Sequence, residues 1–258
     1  MVEYNDELSA ETERAYQMAE IIRQRSQTIA ALNLRAGDRV VDVGCGPGLL
    51  TREIALAVGE SGYVLGIDVS ESMLSLARRR STDLTQIELK NNSADTISAP
   101  DNSFDAVTCT QLLLYLPNVA ETIQEMARVL KPGGRIAIIE TDWRNVLFEC
   151  DDQPFMRRLF ASWEASLASP YLPGKLQALL SDAGFWGIKV EAIPIINTSY
   201  LLDNYSGQMV AYSLRESKKN GTVTDQQAEA FGAELKQRSA ENRYFFCVNR
   251  FLFTAVKY

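Results

Sequence analysis

Three glycines at alternate positions, Gly44, Gly46 and Gly48, separate a run of buried-type residues from a helical pattern. Glycine lets the backbone approach a ligand closely, and a helix N-terminus leaves unpaired N–H groups facing it. One carboxylate could act beside this loop: Asp68, at the end of the next strand-like segment. A carboxylate at this position is suited to accept hydrogen bonds from both hydroxyls of a ribose. These residues predict a binding turn for a nucleoside-type ligand.

The spacing of the loop argues against a dinucleotide. It reads GxGxG, and Leu49 stands where a dinucleotide fingerprint needs its third small residue. Pro47 removes one of the N–H groups that a pyrophosphate would contact. We therefore expect a ligand that passes close to the backbone without being a diphosphate, which leaves a nicotinamide-dependent oxidoreductase as a remote alternative.

The composition excludes several classes of protein. The 258 residues are 46% apolar, enough for one large domain with its own core. The net charge of -7 argues against nucleic acid or an anionic membrane as the main partner. The chain has no histidine and four scattered cysteines, so we expect no metal site, no disulfide framework and no histidine-dependent nucleophile. The polar N-terminus and the lack of an apolar run of about 20 residues predict no signal peptide, no membrane span and a cytoplasmic protein.

Strand-like and helix-like segments alternate around the loop, which predicts parallel βαβ units in a doubly wound sheet. Strands are predicted at residues 40–43, 63–67, 87–89, 104–108, 135–140, 188–196 and 245–256, the last with a potential interruption at Asn249-Arg250. Helices are predicted at residues 47–58, 71–79, 117–130, 148–169 and 176–183, as one or two helices over 5–34, and as two helices within 200–239.

Ligands of such sheets lie beyond the C-terminal ends of the strands. The residues that fall near predicted strand ends are Gly44, Asp68, Asp95, Thr110 and Asp142. Val69 and Met73, beside Asp68, could sandwich an adenine, although isolated apolar residues are more often core. In the loop after the third strand, Asp95 follows Ala94 and could accept from an adenine amino group or form a local Asx-turn.

Four stretches together resemble the class I S-adenosylmethionine-dependent methyltransferases: VVDVGCGPG at 40–48, GIDVS at 66–70, FDAV at 104–107 and VLKPGG at 129–134. Their order and spacing match over about residues 38–141, and the nearest group holds the quinone-biosynthesis and small-molecule methyltransferases. The resemblance implies S-adenosylmethionine as cofactor. It also implies an α/β fold with a seven-stranded Rossmann-like sheet of order 3-2-1-4-5-7-6, whose last strand is antiparallel, and helical cap insertions.

The resemblance also assigns the cofactor site. Asp42 and the loop residues Gly44, Cys45, Gly46 and Gly48 would lie against the methionine part. Asp68 would bind the ribose, and the residues expected around the adenine are Val69, Met73, Ala94 and Asp95. Thr110 or Gln111 would approach the amino-acid moiety, and Tyr16 would close over the cofactor from an N-terminal helix.

The residues after the fourth strand bear on the acceptor. They read Thr110-Gln111-Leu112-Leu113, in place of the Asn/Asp-Pro-Pro-Tyr/Phe signature of enzymes that methylate bases and glutamine, which argues against an exocyclic nucleobase nitrogen. Aromatic residues are frequent beyond Asp142: Trp143, Phe148, Phe155, Phe160, Trp163, Tyr171, Tyr200, Tyr205 and Tyr212. They suit an apolar or aromatic acceptor, or a cationic amine, although helix core is the ordinary role for most of them.

Methyl transfer from a sulfonium is an in-line displacement, so the protein must mainly align the acceptor and exclude water. A general base is needed only where the acceptor carries its proton at working pH. The candidates are Tyr115, Glu140 and Asp142, which follow strands four and five, and a structural role is equally open for each.

These observations predict a methyltransferase acting on a small, apolar or aromatic molecule, with O- or C-methylation ahead of N-methylation. We expect one domain, 1–258, made of a helical lid (1–34), a cofactor-binding core (35–141), cap helices with strand six (142–243) and a closing strand (244–258). It would be a monomer or homodimer. The main alternative is a cofactor-binding protein of this fold that catalyses a non-methyl step, such as a cyclisation, or acts as a regulator.

Overall fold

Five parallel strands carry the glycine loop and its carboxylates. The computed structural model describes residues 13–258. Its first strands are β1 (Arg39–Val43), β2 (Tyr63–Asp68), β3 (Ile87–Asn91), β4 (Phe104–Thr110) and β5 (Leu130–Thr141). They lie in the order β3-β2-β1-β4-β5 with parallel pairing throughout. Helices cover both faces of the sheet, which fits the nearly continuous apolar runs of its central strands. Because the five strands are parallel, their C-terminal ends lie at one shared edge of the sheet.

The helices around this half follow the predicted pattern. They are α1 (Ala19–Leu32), α2 (Leu49–Val58), α3 (Glu71–Arg80) and α4 (Val119–Val129). In α3 the side chain of Ser70 accepts from the backbone N–H of Met73, the expected N-cap. Residues 13–16 are helical but separated from α1 by a turn. The segment predicted as one or two helices is therefore divided after residue 16, and its part before residue 13 lies outside the described residues.

The last strand is inserted into the sheet, as predicted. β8 (Phe246–Lys257) pairs antiparallel with β5 on one edge and with β7 (Phe185–Asn197) on the other. The predicted strand order and the antiparallel last strand are confirmed. The interruption at Asn249-Arg250 is absent, because both residues stay in register with Pro194 and Ile193 of β7.

The helix predicted at residues 148–169 begins later in the structure, at Gln153. Residues 147–148 form a short strand, β6 (Leu147–Phe148), that pairs with Cys247 and Phe246 on the edge of β8 opposite β7, so the described sheet has eight strands where seven were expected. Helix α5 (Gln153–Glu164) starts only where Asp152 caps the N–H of Phe155. Phe148 instead packs edge-on against Phe246, with ring centroids 5.6 Å apart.

The remaining helices divide between two cores. They are α6 (Pro173–Asp182), α7 (Tyr205–Lys219) and α8 (Asp225–Ala240). Leu176 and Leu180 of α6 join the core of the sheet, whereas α5, α7 and α8 surround a second core rich in aromatic rings. This second core stands over the C-terminal strand edge and forms the cap. Within residues 13–258 no helix is both long and apolar enough to cross a membrane.

Candidate active site

The glycine loop needs glycine for two separate reasons. Gly44, Gly46 and Gly48 all have positive φ, of 73°, 52° and 76°, a region that costs other residues energy. A Cβ on Gly44 would lie 2.8 Å from Leu112 Cδ2, and one on Gly48 would lie 2.7 Å from Ala77 Cβ. The loop is thus packed tightly on the segment after β4 and on α3. A Cβ on Gly46 would lie at an ordinary 3.6 Å from the Tyr16 ring.

The two carboxylates are fixed to this loop and its helix. Asp42 is buried, and its Oδ2 accepts from Thr51 Oγ1 at 2.6 Å. Burial raises the pKa of Asp42 to about 7, against the opposing effect of the Thr51 hydrogen bond. Asp68 accepts from the N–H of Gly46 at 2.9 Å and from the N–H of Ser70 at 2.8 Å. Burial raises the pKa of Asp68 while these backbone hydrogen bonds lower it.

Three neighbouring cavities meet at Tyr16 and Gln111, which border all of them. The strand-end cavity, about 100 Å³, lies against Asp68 and Met73. Of the predicted cofactor residues it brings together Tyr16, Gly44, Gly46, Asp68, Val69, Met73, Ala94, Thr110 and Gln111. The glycine-loop cavity, about 50 Å³, lies on the other side of Gly44 and contains Asp42 and Cys45.

The third space, which we call the aromatic cavity, lies under the cap and measures about 390 Å³. Its wall is a series of rings in edge-to-face contact: Trp143 and Trp163 have centroids 5.6 Å apart, and Trp163 and Tyr212 5.1 Å. Tyr205 and Tyr115 also border it, and Tyr115 borders the strand-end cavity as well. Of the other aromatic residues noted in the sequence, Phe148, Phe155 and Phe160 are cap core.

Four predicted site residues do not border these cavities. Gly48 is the N-cap of α2 and contacts α3. Asp95 is exposed, and hydrogen bonds from Ser93 and Thr96 hold its pKa below the usual range. Asp142 caps a short 3₁₀ helix and pairs with Arg144, with Oδ2 2.5 Å from Nη2. The fourth is Glu140.

Glu140 is fully buried and holds the segment that follows β4. Its Oε1 accepts from the backbone N–H of Leu112 at 3.1 Å and of Leu113 at 2.7 Å. Burial raises the pKa of Glu140 to about 8, against the lowering effect of these N–H groups. The same segment contains Gln111 in a left-handed conformation, φ 54°, with its Oε1 accepting from Thr141 Oγ1 at 2.7 Å. Glu140 thus positions a segment that lines all three cavities.

The structure also adds residues that the sequence pattern did not single out. Asn92 and Ser93 line the strand-end cavity next to Ala94. Gln24 and Arg25 of α1 border the glycine-loop cavity, and Arg250 of β8 borders both that cavity and the aromatic one. A signal for Arg250 was present, since Asn249-Arg250 are polar residues inside an apolar strand, but the pattern was interpreted as a break.

One polar atom beside the strand-end cavity lacks a hydrogen-bond partner among the described residues. Thr110 Oγ1 is buried and has no hydrogen-bond partner among residues 13–258. It borders both the strand-end and the glycine-loop cavities, between Gly44 and Gln111. A ligand with polar atoms across both cavities would satisfy it. The site thus fits a nucleoside joined to an amino-acid chain.

Several known proteins are similar to this chain in sequence. Residues 41–138 match the family model described as methyltransferase domain. Demethylmenaquinone methyltransferase of Bacillus licheniformis is 34% identical over 181 residues, covering 64% of this chain and 78% of that enzyme. An uncharacterised 37.1 kDa protein in transposon Tn4556 of Streptomyces fradiae is 33% identical over 162 residues, covering 62% of this chain and 47% of the relative, so the chain spans about half its length.

Among solved structures, phosphoethanolamine N-methyltransferase 2 of Haemonchus contortus, in complex with S-adenosyl-L-methionine, superposes with a TM-score of 0.65 at 18% identity. The match covers 98% of this chain and 57% of that one. At this level of identity the likeness concerns the fold.

Proposed function

Since the chain belongs to the class I S-adenosylmethionine-dependent methyltransferases, in the group with the quinone-biosynthesis enzymes, we propose that it methylates a small aromatic or apolar organic molecule. It is an enzyme of the transferase class whose cofactor is S-adenosyl-L-methionine. The Bacillus licheniformis relative is named for demethylmenaquinone, which favours an acceptor of the quinone type. O- or C-methylation is the preferred chemistry, and N-methylation is the second choice.

Our proposal for the cofactor follows the cavities. Asp68 would accept from the ribose hydroxyls, because both of its oxygens are already held in place by the backbone N–H groups of Gly46 and Ser70. The adenine would lie among Val69, Met73 and Ala94. Asn92 and Ser93 line the cavity there and are better placed than the exposed Asp95 to contact its edge.

The methionine part would extend into the glycine-loop cavity. Asp42 would face its ammonium group, next to Gly44 and Cys45. Thr110 would gain the hydrogen-bond partner that it lacks among the described residues. Tyr16, whose ring lies beside Gly46, would cover the cofactor. Gly48 would support the loop through its contact with α3, without touching the cofactor.

The observation that carries the acceptor assignment is the junction of the cavities. Tyr16 and Gln111 separate the strand-end and glycine-loop cavities from the aromatic cavity, so an acceptor held by the aromatic wall would lie next to the cofactor. When bound, S-adenosylmethionine supplies the methyl group. The residues of the chain align the acceptor and exclude water, which is the main requirement of such a displacement.

A general base is a smaller part of the proposal. Tyr115 borders both the strand-end and the aromatic cavities and is the candidate that the geometry supports. Tyr16 is a poor base, because burial raises its pKa and Arg250 only partly opposes this. We assign Glu140 a positioning role and Asp142 a structural one, because neither residue borders any of the three cavities.

The test is transfer of a labelled methyl group. The protein is incubated with methyl-labelled S-adenosylmethionine and a cell extract, and the label is then measured separately in small molecules, protein and RNA. We expect label in apolar or aromatic small molecules, together with release of S-adenosylhomocysteine. Label confined to protein or RNA would contradict the proposal. Release of no S-adenosylhomocysteine would favour a cofactor-dependent step that leaves the methyl group in place.

A further inference from the structure

The aromatic cavity has a charge opposite to that of the chain as a whole. Arg14, Arg215 and Arg250 border it, and among residues 13–258 no aspartate or glutamate does, although Arg215 pairs with Glu216 outside the cavity, with Nε 3.7 Å from Oε1. The chain carries a net charge of -7, so the local excess of arginine is not a reflection of composition. A positively charged, ring-lined cavity disfavours a cationic amine and attracts an anion.

Arg250 is the buried member of this group. It is only 6% exposed, and in the part of the chain that the structure describes no carboxylate lies within 4 Å of it. Two hydrogen bonds are formed, from Nη1 to Gln24 Oε1 and from Nη2 to the Tyr205 hydroxyl at 3.3 Å, while Nε is buried without a partner. A guanidinium has five N–H donors, and burying its charge without an anion is costly.

Nearby acidic groups do not neutralise this guanidinium. Glu140 is close enough for Arg250 to lower its pKa, although burial is the larger effect and raises it. Its Oε1 is occupied by the backbone N–H groups of Leu112 and Leu113, and among the described residues it forms no ion pair with Arg250. The ring of Tyr205 lies 5.1 Å from the guanidinium carbon and supplies only a partial counter-charge through its π face. Among the described residues, the buried Arg250 guanidinium therefore lacks a counter-anion, and a ligand could supply one.

Two groups could supply this anion: the methionine carboxylate of the cofactor or an acidic group of the acceptor. The glycine-loop cavity also has Arg25, but that guanidinium is already paired with Glu53, with Nε 2.9 Å from Oε1, and it donates to the Tyr16 carbonyl oxygen. On that side the Nη1 of Arg250 is already used by Gln24. On the other side Arg250 contacts Tyr205, which lines the aromatic cavity. The geometry therefore favours the acceptor.

We propose that the acceptor carries a carboxylate that pairs with Arg250 in the aromatic cavity, so that the substrate class is an aromatic acid. The inference rests on the proposed function and narrows it to aromatic acids, which departs from the neutral quinone for which the Bacillus licheniformis relative is named. A guanidinium pairs with a carboxylate through two parallel hydrogen bonds, which fix direction as well as distance. The acid group would be anchored at Arg250, at the junction with the glycine-loop cavity, and the ring would extend along the Trp143–Trp163–Tyr212 wall.

The experiment compares matched acids and amides. Protein saturated with S-adenosylhomocysteine is titrated by calorimetry with 2-naphthoate, indole-3-acetate and 4-hydroxybenzoate, each against its primary amide. We expect at least one acid to bind the wild type about tenfold more tightly than its amide, the size of a charge-assisted hydrogen bond. Arg250→Met should lower the affinity for that acid to the level of the amide, and Arg250→Lys should keep part of the preference.

Arg14→Gln is the matched control. It removes one positive charge from the rim of the same cavity, but Arg14 is exposed, so solvent screens its charge and the acid preference should change less than about threefold. The affinity of each variant for S-adenosylhomocysteine, measured first, reports whether the fold and the cofactor site are intact. Arg250→Lys keeps the test decisive if Arg250→Met does not fold.

Three outcomes would overturn the inference: no acid binding the wild type more tightly than its amide, a preference that survives in Arg250→Met, or a loss in Arg250→Met of cofactor-product affinity equal to the loss for the acid. The last would assign Arg250 to the methionine carboxylate. The inference and the proposed function fail separately. Methyl label in neutral small molecules without an acid preference would remove only the inference, whereas label confined to protein or RNA would remove the function.

Discussion

The proposed cofactor side and the proposed acceptor side of this site are formed by different kinds of chemical group. The cofactor side is mostly backbone: left-handed glycines, and carboxylates such as Asp68 that are bonded to backbone N–H groups. The acceptor side is made of side chains, with rings from the cap and a guanidinium from β8. A backbone site depends on a short continuous stretch of chain, whereas a side-chain site can be altered one residue at a time. The same fold can therefore keep one cofactor while its acceptor changes.

The two sides also differ in their carboxylates, although Arg25 and Arg250 border the glycine-loop cavity of the cofactor side as well. Asp42 and Asp68 lie on the cofactor side, which suits a ligand with an ammonium group and ribose hydroxyls. Arginines border the acceptor side. Tyr16 and Gln111 lie between them and border both. Variants that affect one side and spare the other test whether this division is real.

Asp68→Ala should give the largest effect and should be confined to the cofactor side. It removes a carboxylate proposed to accept two hydroxyls, and hydrogen bonds to a charged group are worth about 1.5–3 kcal/mol each. We expect the affinity for S-adenosylhomocysteine, measured by calorimetry, to fall by about 100-fold, or about 2.7 kcal/mol. Asp95→Ala, at an exposed carboxylate outside the cavities, should change it by less than about threefold. Equal effects of the two substitutions would remove the ribose assignment.

Gly48→Ala tests the backbone character of the cofactor side. Gly48 and Gly133 share a left-handed φ of 76°, but a Cβ would meet Ala77 Cβ at 2.7 Å at the first and nothing within 4 Å at the second. Gly133→Ala should lower the free energy of unfolding by about 1 kcal/mol, the cost of the conformation. Gly48→Ala should lower it by about 2 kcal/mol more, because the methyl group also overpacks the α2–α3 contact. Chemical denaturation measures both, and equal losses would show that conformation alone requires these glycines.

The pH dependence of cofactor binding gives a smaller, sharper test at Asp42. Burial raises its pKa to about 7, so in the free protein the carboxyl group is mostly protonated at pH 6 and ionised at pH 8. A bound ammonium group favours the ionised form, so affinity for S-adenosylhomocysteine should rise by about tenfold from pH 6 to pH 8 and then level off. Asp42→Asn should bind more weakly and show no such rise.

Two further comparisons complete the pH test. Thr51→Val removes a hydrogen bond that stabilises the ionised form, so the midpoint of the rise should move to higher pH. Because the folded-state pKa is raised, the stabilisation due to Asp42 in the free protein is fully present below its unfolded pKa, near 4, and is lost as pH rises through 7. Stability and cofactor affinity should therefore change with pH in opposite directions. An affinity that is flat in the wild type would separate Asp42 from the ammonium group.

The contrast between a site formed by backbone and one formed by side chains also explains which residues the sequence could predict. Gly44, Gly46 and Asp68 stand in short contiguous motifs, so their places at the strand ends followed from the alternation of strands and helices. Arg250 depends on where the last strand is inserted, and its polar character inside an apolar run was interpreted as an interruption. Glu140 was proposed as a base because it ends a strand. Its burial and its bonds to Leu112 and Leu113 depend on packing that a local pattern does not contain.

Short elements and helix boundaries show the same limit. β6 has two residues and pairs with Phe246 and Cys247, far along the chain, so nothing near Leu147 marks it as a strand. The helix predicted from residue 148 begins after Asp152 instead, because that side chain caps the helix and Pro154 suits its first turn.

The inserted position of β8 has a consequence for how the chain folds. β7 precedes β8 in sequence but pairs with β8 alone among the described strands, so it cannot join the sheet before β8 is in place. Until then the outer edge of β5 offers unpaired backbone groups to other chains, a known route to aggregation. The contacts between Arg135 and Val256, and between Thr141 and Arg250, close loops of more than a hundred residues, which slows folding. The proposed acceptor side, which includes Arg250 of β8, is therefore completed late. The strands β1 to β5, which carry the proposed cofactor side, can pair with one another before that.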